Sequence, residues 1–243
     1  ALQNRARHAG KAIGSRNRKD MEVKRLFSLL FVMSSLLACN NSADFAKGEI
    51  EMISVLQDLL ETDETPNKFI DARKIVTREK INASGLAVLY VELESGRNGT
   101  SVKYPGANIG EVWLGVDGTT VTLQNGFLIS TRGLGDDLMS SNGDFPSLQH
   151  ISESDTYKKT MAWLYADNQI QSDIFTCTIS VEMKKQNIIV FDKEFSTRRA
   201  LETCESGTLS VQNEYFYEET GLVRRSHQFL SRSLGSIFIE RLD

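Results

Sequence analysis

The sequence predicts a mainly β protein, an antiparallel sandwich or barrel-like sheet of about ten or more strands with one N-terminal amphipathic helix. Runs rich in β-branched and aromatic residues recur from residue 86 onward, and such runs are typical of strands. Turn dipeptides that contain glycine separate several of these runs, and the 243 residues include only three prolines. Many short strands against one helix favour an antiparallel sheet that packs on itself or closes.

The predicted helix covers residues 42–62, "SADFAKGEIEMISVLQDLLET". Its apolar residues are spaced by three and four, which is the helical period. Ser42 or Asp44 can cap its first turn, and Pro66 ends it. A helix of this kind more often covers a sheet than binds a partner.

The first predicted strand is the apolar run at residues 86–94. A meander of about three strands follows, because Asp117-Gly118 and Asn125-Gly126 each lie between apolar runs and accept the positive φ of a type I′ hairpin turn. The polar, turn-rich residues 135–155 fit either a long functional loop or an excursion between two sheets. The later predicted strands cover residues 157–166, 172–184, 187–195, 208–218, 221–230 and 235–241.

The N-terminal region has the pattern of a secretory signal. Leu26 to Ala38 is an uncharged run of thirteen residues, well short of the ~20 that a membrane-spanning helix needs. Lys24 and Arg25 precede it, and a basic flank, a short apolar run and small residues at the end describe a cleavable signal. We therefore expect an upstream segment at 1–20 that is not native or is disordered, a signal peptide at 21–38 and a single β-rich periplasmic domain at 39–243.

Cys39 is the predicted lipid-attachment site of that signal. Leu36-Leu37-Ala38-Cys39 resembles the bacterial lipobox, which implies that diacylglycerol and palmitate are attached to this cysteine. Asn40 follows it, and the lipobox resemblance then implies transfer to the outer membrane, with the domain tethered and facing the periplasm. The alternatives are a core helix with a buried thiol and, for residues 1–20, a basic arm for anionic lipid.

The mature region is acidic. Residues 1–38 contain eight of the 28 Lys and Arg but only two of the 32 Asp and Glu, so residues 39–243 hold 20 basic and 30 acidic residues, a net charge of −10. Binding to phosphate backbones needs a basic face, so we expect no nucleic acid partner.

The side chains that usually perform chemistry are sparse. Cys177 and Cys204 form an even pair, which in an oxidising compartment indicates a disulfide, although two free thiols remain an alternative. The sequence contains no HExxH, CxxC or GxSxG motif, so neither a metal site nor a cofactor nor a nucleophile elbow is predicted. Paired carboxylates could serve a glycan-modifying hydrolase, but acidic residues on a solvated surface explain them as well. The candidates for such a pair are Asp136, Asp137, Glu214, Glu218 and Glu219.

Two separated blocks resemble the YjbF/GfcB family of group 4 capsule polysaccharide lipoproteins. The first, residues 112–140, has a Trp-containing strand, a D-G turn, a G-F-L-I strand and then T-R-G-L-G-D-D-L. The second, residues 211–242, matches the family's closing block at Asn213, Tyr215, Gly221, Ser226, Gln228 and Gly235. Phe127 stands where many members have Arg. The resemblance implies a mostly β periplasmic lipoprotein associated with capsule or exopolysaccharide export, and it implies no enzymatic activity.

Five residues of these blocks are the expected contacts with a ligand or partner: Arg132, Asp136, Asn213, Tyr215 and Gln228. Gly133 and Gly135 supply tight turns, so Arg132 and Asp136 either pair across the turn or face a saccharide or a protein. The leading functional expectation is a non-enzymatic accessory lipoprotein for polysaccharide secretion that contacts the polysaccharide and export proteins. The alternatives are the hydrolase and a scaffold whose sheet edge or helix docks on an export channel.

Overall fold

The computed structural model describes Ser54 and residues 71–107, 109–165, 169–207 and 209–243. The predicted signal peptide, Cys39 and most of the predicted helix at 42–62 lie outside these residues. Ser54 is the one described residue of that helix, and it is helical and exposed. Across the described residues, no helix has both the length and the apolar character needed to span a membrane.

The described chain is mainly strand. Two short helices precede the strands, α1 (Ala72–Ile75) and α2 (Arg78–Ser84). Thr77 caps α2, because its hydroxyl accepts the backbone N–H of Lys80, and Gly85 ends that helix in the left-handed conformation. A 3-10 turn lies at Leu148–His150. The strands among the described residues are β1 (Val88–Leu93), β2 (Asn98–Lys103), β3 (Glu111–Gly115), β4 (Thr120–Gln124), β5 (Phe127–Arg132), β6 (Asp137–Gly143), β7 (Ser154–Leu164), β8 (Ile170–Val181), β9 (Gln186–Val190), β10 (Lys193–Ser206), β11 (Leu209–Tyr217), β12 (Val223–Ser231) and β13 (Gly235–Arg241).

These strands form one antiparallel sheet that is nearly closed into a barrel. The order is β5-β4-β3-β2-β1-β13-β12-β11-β10-β8-β7-β6, and β9 pairs with β10 outside this path. The two end strands meet through side chains: the Thr131 hydroxyl lies 2.8 Å from Asp137 Oδ1, and Leu138 N donates to Thr131 Oγ1 at 3.1 Å. Arg132 Nη1 donates to the Leu138 carbonyl at 3.2 Å. The predicted mainly β class and its barrel-like form are confirmed.

Alternation along the strands separates two apolar clusters. In β1, Leu89 and Val91 belong to the large cluster inside the barrel, whereas Val88 and Tyr90 belong to a smaller cluster outside it. The interior cluster includes the fully buried Trp113, Phe127, Phe175, Tyr215 and Leu230. The outer cluster is covered by the two short helices and by β9, through Ala72, Ile81, Ile188 and Val190.

Several details differ from the sequence prediction, which included neither α1 and α2 nor residues 196–206 of β10. The polar β2 and β6 were not predicted as strands, and β6 occupies the first half of the segment 135–155. The predicted strand 187–195 is two strands, because Phe191 and Asp192 both have positive φ (46° and 64°) and turn the chain between β9 and β10. The Asn125-Gly126 turn has the two positive φ values of type I′ (52° and 86°), as predicted. At Asp117-Gly118 only the glycine has positive φ, and the turn is wider.

Candidate functional site

One end of the barrel holds the site, which we call the mouth pocket. It is a cavity of about 460 Å³ between the start of β3, the β4–β5 turn, the loop before the 3-10 turn, the β11–β12 turn and the end of β13. Its volume falls in the range of about 300–1,000 Å³ that is usual for small-molecule sites, and mouths of barrels are a common place for them. The lining side chains on which the argument depends are Glu111, Trp113, Gln149, Arg224, Ser226 and Arg241.

Glycines let the loops of this mouth approach one another. A Cβ on Gly126 would lie 2.2 Å from Cγ2 of Val223, so the β4–β5 turn contacts β12 at a distance that only glycine permits. A Cβ on Gly110 would lie 2.5 Å from the carbonyl oxygen of Leu123, and both glycines also have positive φ. The outline of the pocket therefore depends on the close approach of these two glycines to the side chain of Val223 and the backbone of Leu123.

Arg241 crosses the pocket wall above an aromatic floor. Its Nη1 donates to Glu111 Oε2 at 3.1 Å, and its Nε donates to Asp243 Oδ1 at 3.0 Å. Its guanidinium carbon lies 5.2 Å from the centroid of the Trp113 ring, which is a cation–π distance. Arg224 is the second arginine of the wall, and its Nε donates to Glu218 Oε1 at 2.9 Å.

Trp113 itself lacks a hydrogen-bond partner. The side chain is fully buried, and its Nε1 has no acceptor among the described residues. Trp163, the other tryptophan, is also buried but donates its Nε1 to the carbonyl of Leu230 at 2.7 Å. Buried indole N–H groups usually have a partner, so an orphan donor in the pocket wall requires an explanation.

A polar network lies in the barrel interior around a single carboxylate. Glu202 is fully buried and accepts from Lys159 Nζ at 2.9 Å, from Asn213 Nδ2 at 2.6 Å and from the Tyr215 hydroxyl at 2.8 Å. The Tyr157 hydroxyl donates to it as well. Four donors on one carboxylate satisfy both of its oxygens, which is the condition under which a buried charge is tolerated.

The network shifts the pKa of each partner in a direction that its surroundings explain. Burial acts to raise the pKa of Glu202, but the charge of Lys159 and the hydrogen bonds that the carboxylate accepts outweigh it, so the pKa lies below its ordinary value. Burial, and then the charge of Glu202, raise the pKa of Tyr157 and Tyr215 well above the ordinary tyrosine value. Glu202 is therefore the ionised acceptor, and both tyrosines are neutral donors.

Gln228 connects this network to the mouth pocket. Its Oε1 lies 3.3 Å from the Tyr215 hydroxyl and accepts from Leu128 N at 2.8 Å. Its Nε2 donates at 2.9 Å to both the carbonyl of Gly126 and the hydroxyl of Ser226, and Ser226 lines the pocket. Because β12 and β5 are not neighbours in the sheet, this side-chain amide links two strands that backbone pairing does not join.

The structure brings together three of the five predicted contact residues. Asn213, Tyr215 and Gln228 are 4%, 0% and 3% exposed and belong to the buried network. Arg132 and Asp136 lie away from them at the β5–β6 end of the sheet. Arg132 is exposed and donates to backbone carbonyls of β6, and no ion pair joins it to Asp136 among the described residues.

Asp137, the neighbour of Asp136, makes the contacts that hold the β5–β6 turn. Its Oδ2 accepts from Gly133 N at 2.8 Å, and its Oδ1 accepts from Leu134 N at 3.2 Å. The other predicted acids lie in ion pairs. Glu214 binds Arg199, and Glu219 binds Lys185.

Sequence reasoning missed the centre of the network. Lys159 and Glu202 stand on the inward-facing positions of β7 and β10, and a charged residue at an inward position of an alternating strand was the available signal. Cys177 and Cys204 lie beside them on paired positions of β8 and β10, and their sulfurs are bonded at 2.12 Å. Glu202 and these two sulfurs lie within 4.8 Å of one another, but bonded sulfurs do not ligate a metal.

Comparison with known proteins adds three findings. The family model described as "Group 4 capsule polysaccharide lipoprotein gfcB, YjbF" matches residues 54–242, which span the whole described barrel. A crystal structure of the hypothetical lipoprotein YmcC from Escherichia coli (K12) is similar in fold, with a TM-score of 0.64 at 20% sequence identity, over 69% of this chain and 89% of that one. A search of curated proteins found no match.

Proposed function

The chain belongs to the group 4 capsule polysaccharide lipoprotein family, and from that premise we propose that it is an outer-membrane accessory factor for capsule or exopolysaccharide secretion that works by binding. Acyl chains on Cys39 hold it in the membrane, and its barrel faces the periplasm. The observation that carries the proposal is the family match over residues 54–242. Each buried CH₂ of an acyl chain contributes about 0.8 kcal/mol, so several chains make detachment negligible.

The chemistry of the mouth pocket supports binding over hydrolysis. Glu111 is the one carboxylate among the described residues that line it, and glycosidases need two carboxyl groups about 5–9.5 Å apart. Glu111 is also engaged by Arg241 and Lys103. The hydroxyl, amide and guanidinium groups of the wall are suited to holding a saccharide.

Genetic complementation and an assay of polymer length test the proposal together. Deletion of the gene is expected to reduce surface or released polysaccharide, and the wild-type gene to restore it. Cys39→Ser keeps the barrel but removes the lipid site, so it is expected to restore less. The purified protein is expected to leave the chain length of the polysaccharide unchanged. Shortening of the polymer by the purified protein would contradict the non-enzymatic role.

A glycan hydrolase is the second candidate, and one observation gives it a location. A depression of about 300 Å³ on the outer face of the barrel is lined by Glu92, Glu94 and His227. Both carboxylates already accept hydrogen bonds, Glu92 from the Tyr90 hydroxyl at 2.7 Å and Glu94 from Ser236 N at 3.0 Å. If the polymer is shortened, the variants Glu92→Gln and Glu94→Gln test whether this depression is responsible. Their hydrolytic activity falls if the depression is the site, and it is unchanged if a contaminating hydrolase shortens the polymer.

A further inference from the structure

We propose that the mouth pocket binds an acidic saccharide, with Arg241 and Arg224 holding a sugar carboxylate above Trp113. This inference rests on the proposed function, since it names the class of ligand that an accessory factor for polysaccharide secretion takes at this site. It is carried by the place of the two arginines in the pocket wall, by their remaining donors and by the orphan indole N–H.

The pocket wall is rich in arginine although the protein is acidic. Its charged residues are Glu111, Arg224, Arg225 and Arg241, whereas residues 39–243 as a whole carry a net charge of −10. Arg225 is committed to Glu240 on the outer face, at 2.7 Å. Glu111, Glu218 and Asp243 balance the charge of Arg241 and Arg224, so these two arginines offer a ligand oriented donors and not an excess of positive charge.

The two remaining arginines keep donors for a ligand. The hydrogen bonds of both use Nε and Nη1: Arg241 binds Glu111 and Asp243, and Arg224 binds Glu218 and the carbonyl of Asp243. No hydrogen bond within the described chain uses Nη2 of either. A guanidinium whose Nε and Nη1 are fixed presents Nη2 in a set direction, and such planar, oriented donors are suited to carboxylates.

The floor of the pocket supplies the contacts that a sugar ring needs. The Trp113 N–H lacks an acceptor, and a sugar hydroxyl or ring oxygen can provide one. Gln124, Asn125 and Gln149 add amides at the rim, and Ser226 adds a hydroxyl. A cavity of about 460 Å³ accommodates a short saccharide unit and not an extended chain.

Calorimetric titration of the purified lipidated protein in detergent tests this directly. The probes are disaccharides containing glucuronate or galacturonate and the matched neutral disaccharides. We expect a uronate disaccharide to bind at least about tenfold more tightly than its neutral match, because hydrogen bonds to charged groups contribute that much. Arg241→Gln is expected to abolish the preference for the uronate probe. Arg224→Lys keeps the charge but loses the planar guanidinium donors, and it is expected to weaken that preference.

Controls separate binding from folding. Arg232→Gln removes an exposed arginine that lies 3.8 Å from Asp173 and does not line the pocket, so its affinity should equal that of the wild type. Trp113→Phe keeps an aromatic floor but deletes the N–H, and it is expected to weaken acidic and neutral probes alike. Near-UV circular dichroism checks that each variant is folded before titration, and Arg224→Lys serves if Arg241→Gln does not fold.

The outcomes distinguish this inference from the proposed function. Equal affinity for acidic and neutral probes overturns the acidic ligand, and no binding of any probe overturns the saccharide site. In a deletion strain, full restoration of secretion by Arg241→Gln also counts against the site while leaving the secretion role intact. If deletion itself leaves secretion unchanged, the proposed function fails.

Discussion

Replacing Lys159 by Met is expected to destabilise the barrel by about 3 kcal/mol at pH 7. Lys159 is 5% exposed and lies 2.9 Å from the fully buried carboxylate of Glu202. Removal of one partner of a buried ion pair costs about 3–5 kcal/mol, because the other charge stays buried and uncompensated. Three hydrogen bonds to Glu202 remain in the variant, and the length of Met preserves the packing of the stem, so the lower end of that range applies.

The pH dependence of this difference has a defined sign. In the wild type the pKa of Glu202 is lower in the folded state than its ordinary value of 4.5. Its stabilising contribution is therefore complete above that value and is lost as the pH falls through the folded pKa. Without Lys159, burial is expected to dominate and to raise the folded pKa of Glu202. Protonation of Glu202 at low pH then removes the uncompensated buried charge and reduces the destabilisation of the variant. The gap between the two proteins is expected to narrow as the pH falls from 7 toward 4.

Urea unfolding followed by tryptophan fluorescence at several pH values measures both effects. Glu202→Gln in the Lys159→Met background removes the orphaned charge, and the double variant is expected to be more stable than Lys159→Met alone at pH 7. Arg232→Met breaks an exposed ion pair and should cost under about 1 kcal/mol. A cost of less than about 1 kcal/mol for Lys159→Met, or a gap that widens at low pH, would refute the reasoning.

Three further predictions concern other bonds that hold the barrel. Gln228→Leu leaves buried backbone groups of the β4–β5 hairpin unpaired and is expected to cost about 2–4 kcal/mol of unfolding free energy in urea, with an accompanying loss of order at the mouth. Trp163→Phe should destabilise more than Trp113→Phe, by about 1–3 kcal/mol, since only the first indole N–H has a protein acceptor; equal costs would contradict this. Reduction of the bond between Cys177 and Cys204, 27 residues apart, is expected to lower the urea stability by about 3–4 kcal/mol, which a comparison with and without dithiothreitol measures.

Local signals in the sequence were sufficient for most of the strands. β8, β11, β12 and β13 were predicted to within a few residues, because β-branched and aromatic residues recur along them and turn residues separate them. The meander was located by its turns, and Asn125-Gly126 has the expected geometry. The polar β2 and β6 lacked this signal, since their strands are held by pairing with neighbours and not by an apolar face of their own.

Strand β10 buries opposite faces along its length. At its start Phe195 packs in the outer cluster and the Thr197 hydroxyl donates to the Gln186 carbonyl of β9, whereas Ala200, Glu202 and Cys204 are buried further on and face the barrel interior. Alternation is kept, and only the buried side changes from the outer to the inner face. A sequence analysis that takes Phe195 and Thr197 as the inward face places Glu202 on the solvent side, which is where an acidic residue is usually found.

The candidate site could not be assembled from sequence for a different reason. Glu111 and Arg241 are 130 residues apart in the chain, and they meet because β1 joins the β2–β3 side of the sheet to β13. Lys159 and Glu202 reach each other across the intervening strand β8. Distances of this kind depend on the strand order and the register, neither of which follows from the pattern of any single strand.

The buried network and the mouth pocket are structurally connected because Gln228 contacts both. Strands β5 and β12 are not neighbours in the sheet, so backbone pairing does not fix the β4–β5 hairpin relative to the β11–β12 turn. Gln228 of β12 makes two bonds to the hairpin, and its Oε1 lies 3.3 Å from the Tyr215 hydroxyl, which donates to Glu202. Buried polar groups of this kind fix one arrangement among several that apolar packing alone would allow. The charged interior therefore sets the shape of the pocket in which the two arginines meet their ligand, so loss of Lys159 should weaken saccharide binding without touching the site.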